Sequence, residues 1–162
     1  MMRALRTVSR AVFGPSLLLA LGLGLAGCTT GPTDDLDGER ERLEQARAQW
    51  RSQNILDYRY TFRRSCFCGP DVRDPAQVTV RAGQIVSVQS VATGAALNPE
   101  FYYTIEGLFD VLADAIDQDA ATLSATYDSG LGYPTSAFID YSEMIADEEQ
   151  GFETSALEQQ RR

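Results

Sequence analysis

Asp57-Tyr58-Arg59-Tyr60-Thr61-Phe62-Arg63-Arg64-Ser65-Cys66-Phe67-Cys68 is the stretch on which the fold turns. Tyr58, Tyr60, Phe62, Cys66 and Cys68 share one parity, and Asp57, Arg59, Thr61, Arg63 and Ser65 occupy the other. Successive side chains of a strand point to opposite faces, so an aromatic parity beside a charged one predicts a half-buried strand. One wet face in turn points to an antiparallel sheet, because parallel sheets are covered on both sides. Gly69-Pro70 then breaks the strand.

Toward the C-terminus, residues 77–91 hold two β-branched runs on either side of Ala82-Gly83, a hairpin in which Gly83 supplies positive φ. After a loop at Asn98-Pro99, Thr104 is placed to cap a helix, with Glu106 favourably sited in its first turn. Ile105, Leu108, Phe109, Leu112 and Ile116 form its apolar stripe, and Asp110, Asp114 and Asp117 point the other way. Leu123, Ala125 and Tyr127 alternate, Asp128-Ser129-Gly130-Leu131-Gly132 turns, and residues 133–141 run back. A last short strand is expected around residues 152–157. Toward the N-terminus, Leu43, Ala46 and Trp50 make a second amphipathic helix from Glu39 to near Asn54, with Leu36 extending the stripe one heptad earlier. This order predicts an α+β domain: an antiparallel sheet of about five or six strands with two helices packed on one face.

The first residues read differently. Arg3, Arg6 and Arg10 precede an apolar run over residues 11–26, and no acidic residue occurs before Asp34. That is export-signal anatomy. A retained membrane helix would need about 20 apolar residues, and Gly14, Pro15, Gly22 and Gly24 count against one. Leu25-Ala26-Gly27-Cys28 resembles the lipobox of bacterial prolipoproteins. The resemblance implies cleavage between Gly27 and Cys28, a thioether to lipid on the Cys28 sulfur, and membrane anchoring made stable by more than one acyl chain. Thr29, rather than Asp, after the lipidated residue resembles cargo sorted to the outer membrane of a Gram-negative host, facing the periplasm. The expected organisation is a signal peptide at 1–27, a flexible tether at 28–38 (Cys-Thr-Thr-Gly-Pro-Thr-Asp-Asp-Leu-Asp-Gly) and one globular domain at 39–162.

Several segments carry a wider resemblance. They are Trp50, Tyr58-Arg59-Tyr60 leading to Ser65-Cys66-Phe67-Cys68, Thr104-Ile105-Glu106-Gly107-Leu108-Phe109, Tyr127-Asp128 with Gly132-Tyr133-Pro134, and Ile139-Asp140 followed by Ala146-Asp147-Glu148-Glu149. In this order and spacing they resemble a family of small bacterial lipoproteins described only as a domain of unknown function. The resemblance implies a fold unit and a location in the cell envelope, and brings no activity.

Composition excludes more than it assigns. The chain has no His, and all 14 of its basic residues are Arg. Triads built on His, imidazole zinc sites, Schiff bases and phosphate-loop lysines are therefore absent. A formal charge of −9, more acidic still without the three signal arginines, argues against nucleic acid as a partner. No catalytic residue and no cofactor is expected.

Two groups of residues remain as candidates. Cys66 and Cys68, in an oxidising compartment, could form a local disulfide, sit as two small apolar residues, act as a redox pair, or serve a metal or intermolecular role. In a regular strand their Cα atoms would lie about 6.5 to 7 Å apart, at or beyond bridging range. Arg63 and Arg64 are the cations available to lower a thiol pKa. Among the acidic residues, Asp140, Glu143 and Asp147 are calcium candidates, without the spacing of an EF-hand loop, and Glu148 and Glu149 adjoin them. The plainer reading of these carboxylates, and of Asp110, Asp114, Asp117 and Asp119, is a solvated acidic face. Phe101-Tyr102-Tyr103, Tyr133 and Tyr141 suit either a core or a glycan or peptide surface. The sequence as a whole reads as a non-enzymatic envelope lipoprotein held to the membrane through lipid on Cys28, binding or helping to assemble an envelope protein or glycan. A thiol-redox lipoprotein and an acidic calcium module are the alternatives.

Overall fold

In the computed structural model, which describes residues 32–69, 73–145 and 147–160, the aromatic stretch forms β1 (Tyr58–Cys66). Tyr58, Tyr60 and Phe62 are buried, while Arg59 and Arg63 face solvent. The hairpin follows as β2 (Ala76–Arg81) and β3 (Gln84–Ser90). Ala82 joins Gly83 at positive φ in its turn, at 49° and 75°, the pair of left-handed residues that matches strand twist. The signal peptide 1–27, the cleavage pair Gly27 and Cys28, tether residues 28–31, Pro70 and Ala146 lie outside the described residues.

Two helices cover one face of the sheet. α1 (Pro32–Ser52) starts earlier than expected and takes in residues 32–38 of the stretch read as tether. Proline suits a first helical position, where no N–H is needed. Leu36 packs against the core and Glu39 is buried, so tertiary burial outweighs the cost of roughly 1 kcal/mol for Gly38 inside a helix. α2 (Ile105–Asp117) is capped as the sequence predicts, the Thr104 hydroxyl accepting from the Gly107 N–H at 3.0 Å. Its stripe of Ile105, Leu108, Phe109, Leu112 and Ile116 is buried. Arg40 reaches Asp117 at 2.8 Å and Arg51 reaches Glu106 at 3.0 Å, so the helices run antiparallel.

β4 (Thr122–Tyr127), β5 (Pro134–Asp140) and β6 (Gln150–Gln159) complete a six-stranded antiparallel sheet in the order β3-β2-β1-β6-β5-β4. The last strand is not the short one expected. It runs for ten residues and lies inside the sheet between β1 and β5. Its composition hides it. Gly151 has no side chain because a Cβ there would come within 2.2 Å of the Ala137 carbonyl oxygen, and Ala156, at φ 51°, accompanies a bulge that breaks the alternation.

Candidate functional site

Most of the distinctive residues quoted above are occupied in holding the fold. The Tyr58 hydroxyl accepts the Ile105 N–H at 2.9 Å, and the Tyr60 hydroxyl donates to the Tyr103 carbonyl. Both phenols therefore clasp the entry to α2, satisfying one of the helix's orphan donors. Burial pushes the Tyr58 phenol up to about 12, and holds that of Tyr60 well above its ordinary range. Trp50 stands edge-on to Tyr58 and Tyr133, with ring centroids 5.5 and 6.3 Å apart.

The turn between β4 and β5 is fixed in the same way. The Asp128 carboxylate accepts from the Gly130 and Leu131 N–H groups at 3.0 and 2.7 Å. Gln49 on α1 donates to the Ser129 and Gly130 carbonyls, each at 3.0 Å. Gly132, at φ 84°, lies so close to α1 that a Cβ would come within 2.5 Å of the Ala46 carbonyl oxygen. Only glycine satisfies both demands.

The acidic edge of α2 is also engaged. Arg47 lies over the Phe109 ring and reaches Glu106 at 2.9 Å and Asp110 at 2.6 Å, and Glu106 is shared with Arg51. Asp110, Asp114 and Asp117 are all exposed, as periodicity predicts, and Asp110 and Asp117 also pair with arginines of α1. The calcium candidates are not assembled. Asp140 accepts from the Ser142 N–H at 2.9 Å, and among the described residues no group of three His, Cys, Asp or Glu is placed to hold a metal ion.

One buried group escaped the sequence reading. Glu39 is 1% exposed, with Arg42 on its Oε2 and no well-formed hydrogen bond at its Oε1. The Tyr127 phenol lies by this carboxylate, and burial first, then the Glu39 charge, raise its pKa. The signal was available: Glu39 stands three residues after Leu36 and four before Leu43, on the apolar stripe itself.

Cys66-Phe67-Cys68 is different in kind. The two cysteines are joined by a disulfide with Cα atoms 5.3 Å apart. The separation expected for a regular strand does not apply, because β1 ends at Cys66 and the chain bends at Phe67. Phe67 between them is 81% exposed. Neither neighbouring arginine is turned to the sulfurs. Arg63 reaches Glu153 at 3.4 Å, and Arg64 donates to the Phe101 carbonyl at 2.8 Å and lies over the Phe62 and Tyr103 rings.

Of the aromatic residues weighed as a binding surface, Tyr102 and Tyr103 pack against Phe62, and Tyr133 is buried against Trp50. Phe101 is exposed. A cleft of about 200 Å³ opens at the opposite end of the molecule, lined by Trp50, Leu56, Tyr58, Thr104 and Glu106. Arg51, Tyr58, Thr104 and Glu106 in its lining are already engaged with one another or with α2. No helix among the described residues is long and apolar enough to cross a membrane.

These features define a two-layer α+β domain. The chain belongs to a family of unknown function, DUF6174, which matches residues 42–159. The match takes in Cys66 and Cys68, α2 and all six strands. No curated protein and no solved structure matches the chain.

Proposed function

We propose that this chain is a lipid-anchored protein of the cell envelope, acting as a non-enzymatic binding or assembly module. The anchor rests on Leu25-Ala26-Gly27-Cys28 at the end of an apolar run with a basic start. The binding role rests on one structural observation: a disulfide-closed loop holds an aromatic side chain, Phe67, out in solvent where the fold makes no use of it. Exposed aromatics on a constrained backbone are economical contact groups, since little conformational freedom is lost on binding. A thiol-exchange role gains less support, because the two arginines that would stabilise a thiolate are directed elsewhere.

The test of the anchor is Cys28→Ala in the full precursor. The expected result is loss of membrane retention with accumulation of unprocessed chain. A variant still cut behind Gly27 and still firmly membrane-bound would refute the lipid anchor. Fractionation of a Gram-negative host should place the wild type in the outer membrane.

A further inference from the structure

The start of α1 and several exposed apolar side chains come out at the same end of the molecule. Trp50, near the end of α1, packs on Tyr58 at the beginning of β1, whereas Arg40 pairs with Asp117 at the end of α2. From Asp117 the chain passes through buried Ala120 to Thr122, which pairs with Asp140. Ile139 pairs with Gln150, and Gln150 with Cys66. The first turns of α1 therefore point toward the sheet end where β5 finishes, β6 starts and β1 finishes.

At that end the connections carry Phe67, 81% exposed, and Met144 and Ile145, 93% and 56% exposed. Phe101, 63% exposed, is tied to it through Arg64. Large apolar side chains gathered at one end, rather than scattered singly, mark a surface that meets something apolar.

Chain length decides what that is. From Arg40 to Pro32 the helix advances only about 12 Å at 1.5 Å per residue. From Pro32 back to Cys28 the chain can span at most about 14 Å even when fully extended. We infer that the end of the domain bearing Phe67, Met144 and Ile145 rests on the lipid surface that holds Cys28, with these side chains in the headgroup region. The inference builds on the lipid-anchor reading above and makes the lipid surface, rather than a protein or glycan, the contact that Phe67 serves. Glu143, Asp147, Glu148 and Glu149 lie in the same connection as Met144 and Ile145, so the surface that fits is zwitterionic rather than anionic.

The experiment uses the full lipidated protein reconstituted into phosphatidylcholine vesicles containing phosphatidylcholine brominated near the headgroup. Phe67→Trp and Ile145→Trp report on the proposed contact, Leu56→Trp reports on the opposite end, and the wild type gives the background of buried Trp50. The expected result is quenched, blue-shifted emission added by Phe67→Trp and Ile145→Trp, none from Leu56→Trp, and weaker quenching when anionic phosphatidylglycerol replaces unbrominated phosphatidylcholine. Vesicle-bound protein in which all three added tryptophans are equally unquenched overturns this orientation and leaves the anchor standing. A chain that carries no lipid and does not bind vesicles overturns both.

Discussion

The Tyr58 hydroxyl accepts the first backbone N–H of α2, that of Ile105, at 2.9 Å. Both residues are buried, so the bond is screened from bulk solvent. Tyr58→Phe should therefore destabilise the domain by about 1 to 3 kcal/mol, the cost of leaving a buried donor unmet. Urea unfolding of the two proteins side by side measures it. A difference near zero would mean that the N–H finds another acceptor.

Phe109 is fully buried on α2, and Asp114 is exposed on the same helix. Phe109→Ala should cost about 3 to 5 kcal/mol, as truncations of buried Phe do. Asp114→Ala should change stability by less than about 0.5 kcal/mol. Comparable losses in the two melts would contradict the placement of the helix.

Gly132→Ala introduces two faults at once: a Cβ at φ 84°, and an approach to the Ala46 carbonyl that forces the β4–β5 turn away from α1. The left-handed conformation alone costs an L-residue roughly 1 to 2 kcal/mol, so the total loss should exceed that. Gly130→Ala, with an ordinary contact to the Asp128 carboxylate as its nearest neighbour, should be much milder. Equal melting temperatures for the two variants would show that the turn does not bear on α1 as described.

Alkaline unfolding offers an unusually clean readout. The chain has no His and no Lys, and both cysteines of the domain are bonded, so tyrosines are the side chains that titrate between neutrality and the arginines. Burial raises the Tyr58 phenol to about 12, and Tyr60 and Tyr127 shift the same way. A raised folded-state pKa means that the unfolded chain releases its proton first. Stability is thus fully present below about pH 10 and falls as pH rises toward the folded values, by up to about 1.4 kcal/mol per pH unit for each tyrosine. Stability measured from pH 7 to 11.5 should be level and then drop, and Tyr58→Phe should shallow the drop. A slope that begins near pH 8 would assign the transition to some other group.

Periodicity made the two helices, the hairpin and the wet and dry faces of β1 legible because burial there is carried by large side chains in regular spacing: Tyr58, Tyr60 and Phe62 on the strand, Leu108, Phe109 and Leu112 on the helix. β6 was only partly legible: Phe152 is the one large apolar side chain it buries, Thr154 fills the next inward position without a hydrophobic signal, and the bulge at Ala156 breaks the alternation beyond. The extra turns of α1 were obscured by Gly38 and a run of Asp, residues that ordinarily end helices rather than extend them. Among the candidate residues, the proximity of Cys66 and Cys68 could be read directly, but not the bend that brings them together. The pairing of Asp110 and Asp117 with α1 depends on how two helices lie beside each other, and spacing within one helix does not report that.

The place of β6 has a consequence for how the molecule comes into being. Without Gln150–Gln159 the sheet is two separate pieces, β3-β2-β1 and β5-β4, with nothing hydrogen-bonded between them. The strand that unites them leaves the ribosome after the other five, and it must find a neighbour, β1, made some ninety residues before. The hydrophobic layer thus cannot close until β6 has been made. Were the chain exported as proposed, such a delay would keep the domain threadable until β6 is through.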